Sequence, residues 1–359
     1  MPPIPLKIAV LDDYFSIAPQ HFSRLDPSKY NITYIPDTLL PYSHPSTTSS
    51  TKEELVSRLL PYDVIAGMRE RTPFPRALLE KLPNLKLLLN TGSRNRAIDS
   101  PYCKERNIPV AGAKDLGTEE GAPDNTTQHC VAMILALSRG LVEDDQSVKN
   151  GGWQSCLATG LGGKTLGLVG LGRLGSAVAK IMNVAFGMKV IAWSENLTQE
   201  KADSQATAAS LPVQTSGGDK TFKAVSKHDL FKTADVISVH VILSDRSRGL
   251  ITKKDMALMK KSAFIVNTSR APIIDEEDLL ETAEKGEIRG IGLDVFELEP
   301  LPLDSKWRTD KWGKDGRSRV LLTPHKAYGE EKTMNGYYEG QVENILRWER
   351  GEPLLAPLW

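Results

Sequence analysis

Lys164-Thr-Leu-Gly-Leu-Val-Gly-Leu-Gly-Arg-Leu-Gly175 is the stretch whose reading decides the fold. Thr165 to Val169 is a short apolar run of the kind a buried parallel strand needs. Gly170, Gly172 and Gly175 then give the spacing G-x-G-x-x-G, and Ser176 to Phe186 continues at helical period. The first glycine permits a tight turn, the second lets the backbone approach a pyrophosphate, and the third lets helix and strand pack closely. The helix start adds N–H donors and a partial positive charge. Glycine-rich turns are common, but this one follows a strand, opens a helix and precedes a second apolar run, Lys189–Trp193. In that context Gly170, Gly172, Arg173, Leu174 and Gly175 form a candidate dinucleotide-binding loop.

Working outward, 359 residues exceed one typical core and imply two domains. Lys+Arg and Asp+Glu balance at 45 each, so no global field draws the chain to nucleic acid or an anionic membrane. The first strand opens at Lys7 with no charged-then-apolar leader ahead of it, and no apolar run nears the roughly 18 residues of a membrane span. Three scattered cysteines (Cys103, Cys130, Cys156) lack metal-ligand spacing and fit a reducing cytosol. The expectation is a cytoplasmic protein with no metal site.

Strand and helix signals alternate along both halves, which implies α/β architecture. In the first half, Lys7–Leu11, Asp63–Met68, Leu85–Leu89 and Ile108–Val110 read as strands, and Lys52–Leu60 and Ala77–Leu82 as helices. Arg69-Glu-Arg-Thr-Pro73 and Thr91-Gly-Ser-Arg-Asn95 follow strand ends. Pro123-Asp-Asn-Thr-Thr127 opens a long helix through Ser138, with Asp124 or Asn125 as its N-cap. An amphipathic segment follows it. In the second half, Ser204–Lys220 reads as a surface loop, and Ala234–Leu243, Ala263–Val266, Ile291–Val295 and Val320–Leu322 as further apolar runs. A helix over Tyr337–Trp348 is expected to pack back on the first domain. The predicted division is a discontinuous substrate domain, 1–124 with 329–359, and a dinucleotide-binding domain, 125–328.

Three polar residues downstream of the glycine loop follow strand ends, where ligands gather in open α/β sheets. They are Arg270 in Asn267-Thr-Ser-Arg270, Glu299 in Gly292-Leu-Asp-Val-Phe-Glu-Leu-Glu-Pro300, and His325 in Thr323-Pro-His325. A guanidinium matches a carboxylate as a planar fork, and an imidazole suits proton transfer near neutrality. A neighbouring carboxylate orients the imidazole and favours its charged form. Taken singly, each has a plainer reading: a surface ion pair, the start of a turn, a structural histidine.

Those segments, with Gly-Leu-Gly-Arg-Leu-Gly175 and Phe186-Gly187, resemble the signatures of the D-isomer-specific 2-hydroxyacid dehydrogenase family. The resemblance extends to the Arg69–Thr72 and Gly92–Asp99 turns and so covers nearly the whole chain. It implies two doubly wound, Rossmann-like parallel-sheet domains with the active cleft between them, commonly as a homodimer. By the same resemblance Arg270 holds the carboxylate of a 2-oxo acid, His325 transfers the proton and Glu299 supports it. Glu297 is the competing acid, but the family pattern places the glutamate just before the proline. Substrate contacts fall on Arg69, Gly92, Ser93 and Arg94. Thr268 joins the cofactor set. His240 falls where the family lines the nicotinamide side, or is a packed strand residue. Asp294 resembles the aspartate near the nicotinamide carboxamide, or braces the loop to Glu299.

At the end of the second strand Ser194 takes the place usual for an acid and Glu195 follows, with no arginine adjacent in sequence. This leans towards NAD, with NADP also admitted. Arg69, Arg71, Arg94 and Arg96 cluster in two loops and suggest either a second anion site or pairing with Glu70 and Asp99. The implied activity is reversible reduction of a 2-oxo acid to the D-2-hydroxy acid. The alternatives are a formate or phosphite dehydrogenase and a non-catalytic, dinucleotide-sensing corepressor of the same fold.

Overall fold

In the computed structural model, which describes residues 5–92, 95–113, 122–309 and 311–358, the first half builds a sheet from β1 (Leu6–Leu11), β2 (Tyr30–Ile35), β3 (Val64–Ala66), β4 (Leu87–Thr91) and β5 (Val110–Ala113). The order is β2-β1-β3-β4-β5, all parallel. The three middle strands and β5 are almost wholly buried and apolar, as strands covered on both faces must be. The edge strand β2 mixes polar and apolar residues. Ala356–Pro357, which the sequence reading missed, adds antiparallel to β5; two residues carry no periodicity to read.

The second half builds a seven-stranded parallel sheet from β6 (Thr165–Val169), β7 (Lys189–Trp193), β8 (Phe222–Ala224), β9 (Val236–Val239), β10 (Phe264–Asn267), β11 (Gly290–Leu293) and β12 (Arg319–Leu322). Its order is β8-β7-β6-β9-β10-β11-β12. The direction of winding reverses between β6 and β9, the switch point at which such sheets bind ligands. Asp124 caps the helix Asn125–Arg139 by accepting from Thr127 N–H at 3.0 Å. Cys130, Met133, Ile134 and Leu137 of that helix join Phe264 and Val266 in one buried cluster.

One expectation needs correction. Ser204–Lys220 is not all loop: Gln199–Ala208 is a helix capped by Thr198, with Ala202 and Ala206 buried. Its only apolar face is alanine, so the sequence shows little helical contrast. The last long helix also begins earlier than expected, running Glu331–Glu349 from an N-cap at Glu330.

The chain divides into two units, Met1–Gly117 with Gly329–Trp359, and Thr118–Tyr328. The helix Glu331–Glu349 belongs to the first and is tied to it by polar side chains from successive turns. Tyr338 Oη donates to Asp13 at 2.9 Å, Gln341 Nε2 to the Gly67 carbonyl at 2.9 Å, and Asn344 Nδ2 to the Gly112 carbonyl at 3.0 Å. Asn344 Oδ1 also accepts from Leu355 N–H at 2.8 Å, which holds the final strand residues in place. Asn344 is fully buried, so its replacement by leucine leaves a carbonyl and an N–H without partners. Asn344→Leu is therefore expected to cost about 1–3 kcal/mol of stability in urea denaturation. A loss below about 0.5 kcal/mol would show that the tie is not needed.

Candidate active site

Parallel pairing places Trp193, Val169, Val239, Asn267, Leu293 and Leu322 side by side across the second sheet. All six strands leave by the same edge. One residue further along lie Ser194, Gly170, His240, Thr268, Asp294 and Thr323. Arg270, Glu299 and His325 follow the ends of β10, β11 and β12, three neighbouring strands.

The glycine loop sits at the switch point. Gly170 has φ +103°, a conformation that side chains resist, and a Cβ there would lie 2.9 Å from the His240 backbone. A Cβ on Gly175 would come within 2.2 Å of the Gly170 carbonyl, so helix and strand approach too closely for any side chain. Around Gly172 the opposite holds: a Cβ would meet nothing within 4 Å. That open position begins the helix Arg173–Phe186, which no side chain caps, so its first N–H groups suit a phosphate. The loop therefore fits a dinucleotide. Gly170 N–H donates to Trp193 O and His240 N–H to Val169 O, both at 2.8 Å, binding three strand exits together. Arg173 pairs with Asp124 at 2.8 Å.

His325 and Glu299 are in contact: Nδ1 lies 2.6 Å from Oε2, with both side chains mostly buried. Glu299 Oε1 accepts from Phe296 N–H at 3.0 Å, which orients the carboxylate. Glu297 lies instead 3.9 Å from Arg248, so the residue before the proline is the histidine's partner. His325 has φ +48°, uncommon for a side-chain-bearing residue and typical of sites where function outweighs local comfort.

Asp294 holds that conformation. It is wholly buried and accepts from Thr323 Oγ1 at 2.6 Å, Lys326 N–H at 2.9 Å and Ala327 N–H at 3.1 Å. His129 Nε2 lies 3.3 Å from the same carboxylate and 3.0 Å from Thr323 Oγ1. Burial alone would raise the pKa of Asp294; hydrogen bonds from His129, Thr323 and Lys326 outweigh it and hold the acid below its ordinary value. The loop that Asp294 braces is thus the one carrying His325. His129, from the helix Asn125–Arg139, had no sequence signal to mark it.

Arg270 is half-buried and starts a short turn, Ala271–Ile273. The buried Asn267 fixes it by donating to the Arg270 carbonyl at 3.0 Å and accepting from Ser269 N–H at 3.0 Å. Arg270 Nη1 donates to Ser269 O at 2.8 Å. His240 is a packed residue as well as an edge residue. Its Nε2 lies 2.9 Å from Ser238 Oγ, itself 3.2 Å from Cys130 Sγ. Burial lowers the pKa of His240 to about 4, so it is neutral near pH 7 and cannot serve as a proton donor there.

At the end of β7, Glu195 meets a guanidinium after all. Arg246, from the loop beyond β9, lies 3.6 Å away. No arginine is adjacent to Glu195 in sequence because the partner arrives from a loop about fifty residues further along the chain.

In the first unit, Arg69 and Gly92 come together: Arg69 Nη1 lies 3.1 Å from where a Gly92 Cβ would be. Thr91 Oγ1 accepts from Arg69 N–H at 2.9 Å, and Asn95 Nδ2 donates to the Arg69 carbonyl at 2.7 Å. Ser93 and Arg94 lie outside the described residues. Of the clustered arginines, Arg71 is buried and acts electrostatically on Asp12. Burial pushes Asp12 up to about 6, partly offset by hydrogen bonds from Thr38 and Thr72 and by Arg71. Arg69 pairs with Glu70 at 3.8 Å, whereas Asp99 caps a helix.

The geometry defines a dinucleotide-binding sheet bearing a histidine–glutamate pair, and comparison with known proteins gives the class. Residues 131–327 match the model of the D-isomer-specific 2-hydroxyacid dehydrogenase NAD-binding domain. The chain is 33% identical over 310 residues to the D-3-phosphoglycerate dehydrogenase of Methanocaldococcus jannaschii, covering 85% of this chain and 54% of that one. It is 35% identical over 276 residues to the hydroxypyruvate reductase of Thermotoga maritima, covering 76% and 80%. The crystal structure of phosphoglycerate oxidoreductase from Vibrio cholerae superimposes with a TM-score of 0.77 at 30% identity, covering 96% and 99%. The chain thus spans about half the length of the first of these relatives and most of the others. It belongs to the D-isomer-specific 2-hydroxyacid dehydrogenase family and is an oxidoreductase with a nicotinamide dinucleotide-binding domain.

The depressed pKa of His240 links it to stability. Above about pH 6.5 both folded and unfolded chains hold it neutral, and its contribution is complete. As pH falls from about 6.5 toward about 4 only the unfolded chain takes up the proton, so stability is lost. The stability difference between pH 7 and pH 5 is expected to shrink by about 1–2 kcal/mol in His240→Gln, measured by chemical denaturation. An unchanged difference would remove His240 from the account.

Proposed function

We propose that the chain is an NAD(P)-dependent reductase converting a 2-oxo acid to the D-2-hydroxy acid, reversibly. The observation that carries this reading is the 2.6 Å contact of His325 with Glu299 at the sheet edge that bears the glycine loop. Because Glu299 takes Nδ1–H, the transferable proton is assigned to Nε2. Arg270 supplies the fork for the substrate carboxylate. A bound reduced nicotinamide would supply the hydride, held by the Gly170–Gly175 loop with Thr268 and His240 beside it. His325 delivers its proton to the carbonyl oxygen as that oxygen gains charge, and Glu299 stabilises the imidazolium beforehand. Asp294 keeps the histidine's backbone in the conformation that allows both. The first unit is proposed as the substrate-binding unit, through Arg69, Gly92 and the backbone N–H groups of Ser93 and Arg94.

The corepressor and formate or phosphite dehydrogenase alternatives are not favoured, since relatives above 30% identity are named 2-hydroxyacid dehydrogenases and reductases. The relatives named for hydroxypyruvate and glyoxylate make small 2-oxo acids the first substrates to try. We place the protein in the cytoplasm. Its three cysteines are free thiols, and among the described residues no helix is long and apolar enough to cross a membrane. We also propose a homodimer. The helix Leu141–Lys149 buries no residue, and its Leu141, Val142 and Val148, with the following Trp153 and Leu157, are exposed apolar side chains that a second copy would cover.

His325→Ala is expected to lower kcat/KM for reduction by about 10²–10⁴ while NADH binding is retained. Glu299→Gln should lower it less and shift the pH profile. Near-normal turnover of the alanine variant on glyoxylate, pyruvate and hydroxypyruvate would overturn the role of His325. Light scattering should report a dimer that Trp153→Asp weakens; a monomer at micromolar concentration would refute the assembly.

A further inference from the structure

Two opposite charges meet just past the carboxyl end of β7, and the chemistry above uses neither fully. Glu195 follows Ser194, and Arg246 brings Nη1 to 3.6 Å from its Oε2. The loop carrying Arg246 is pinned by the buried Ser247. Ser247 Oγ accepts from Ser244 N–H at 2.8 Å and donates to the Ile242 carbonyl at 2.7 Å, and Gly249 N–H donates to the Pro272 carbonyl at 2.7 Å. The fold therefore sets where Arg246 starts. Its side chain is 76% exposed and that of Glu195 66%, so both can change partners.

The pair stands on the same edge as the glycine loop, since Gly170 N–H donates to Trp193 O at 2.8 Å. In sheets of this kind the end of the second strand meets the adenosine ribose. An acid there accepts from the 2′-hydroxyl, whereas an arginine accommodates a 2′-phosphate. This chain has both charges at one point, with a small Ser194 in the usual place of the acid.

We propose that Glu195 and Arg246 together select the cofactor at the ribose 2′ position; this rests on the dinucleotide reading above. With an unphosphorylated ribose, Glu195 accepts from the 2′-hydroxyl and keeps Arg246 beside it. With a 2′-phosphate, the guanidinium leaves Glu195 for the phosphate, and Ser194 adds a hydroxyl donor. An exposed ion pair is held weakly, whereas a guanidinium–phosphate pair is bidentate and charge-assisted, so the exchange is open to the protein. Arg246 thus gives capacity for the phosphorylated cofactor, and Glu195 restrains it.

Fluorescence titration of the full chain with NADH and with NADPH, in the absence of substrate, tests this. Arg246→Ala is expected to weaken NADPH binding about tenfold and leave NADH within about twofold. Glu195→Gln should tighten NADPH binding by a similar factor, and the double variant should lose that gain. An NADPH-to-NADH affinity ratio unchanged in either single variant overturns the selector. If the unaltered chain binds neither dinucleotide, the cofactor reading itself fails and the selector falls with it. Both side chains are exposed, and circular dichroism verifies that the variants keep their fold.

Discussion

The parallel register of the second sheet is the constraint on which the site depends. Because β7, β6, β9, β10, β11 and β12 end in register, residues scattered over more than a third of the chain emerge on one line. Strand direction alone puts the glycine loop, His240, Thr268 and Asp294 on that edge. The reversal of winding between β6 and β9 opens the place where a ligand can lie, and the missing side chains at Gly170 and Gly175 let the backbone close around it.

Within that frame, one strand exit controls the proposed proton donor twice over. Asp294, directly after β11, holds the Thr323 hydroxyl ahead of His325 and two backbone N–H groups behind it, and Glu299, a few residues later, holds the ring. The two carboxylates do different work because their surroundings differ. Asp294 is wholly enclosed and saturated with donors, which makes it a rigid brace. Glu299 keeps some exposure and is oriented by the Phe296 N–H, which suits it to sharing charge with an imidazole. Buried polar groups tie geometry down only when their partners are all present.

The two units use buried ionisable groups in opposite senses. In the second, His240 resists protonation because burial penalises its charged form. In the first, Asp12 resists deprotonation for the same reason, although Arg71, Thr38 and Thr72 recover part of the cost. Arg71 is buried and lowers the pKa of Asp12, while Arg69, on its strained turn, stays beside Gly92.

Local physics is legible in a sequence, and so were the features that depend on it. The strands Thr165–Val169 and Lys189–Trp193, the glycine spacing and the Asp124 cap are each written within a few neighbouring residues. So was the presence of Arg270, Glu299 and His325 beyond strand ends, with the contact of Glu299 and His325 implied by the family resemblance. The alanine-faced helix Gln199–Ala208 and the two-residue strand Ala356–Pro357 escaped because neither carries enough apolar contrast to reveal a period. The sequence by itself determined the class of fold and which residue types stand at the sheet edge. The pairing of Glu299 rather than Glu297 with His325 was implied by the family resemblance; only the tertiary structure decided the contacts that no motif names: Asp294 on the His325 loop, His129 behind it, and Arg246 on Glu195. Each of these pairs joins residues that follow or lie on different strands or helices, and their distance is set by pairing and packing that no local pattern encodes.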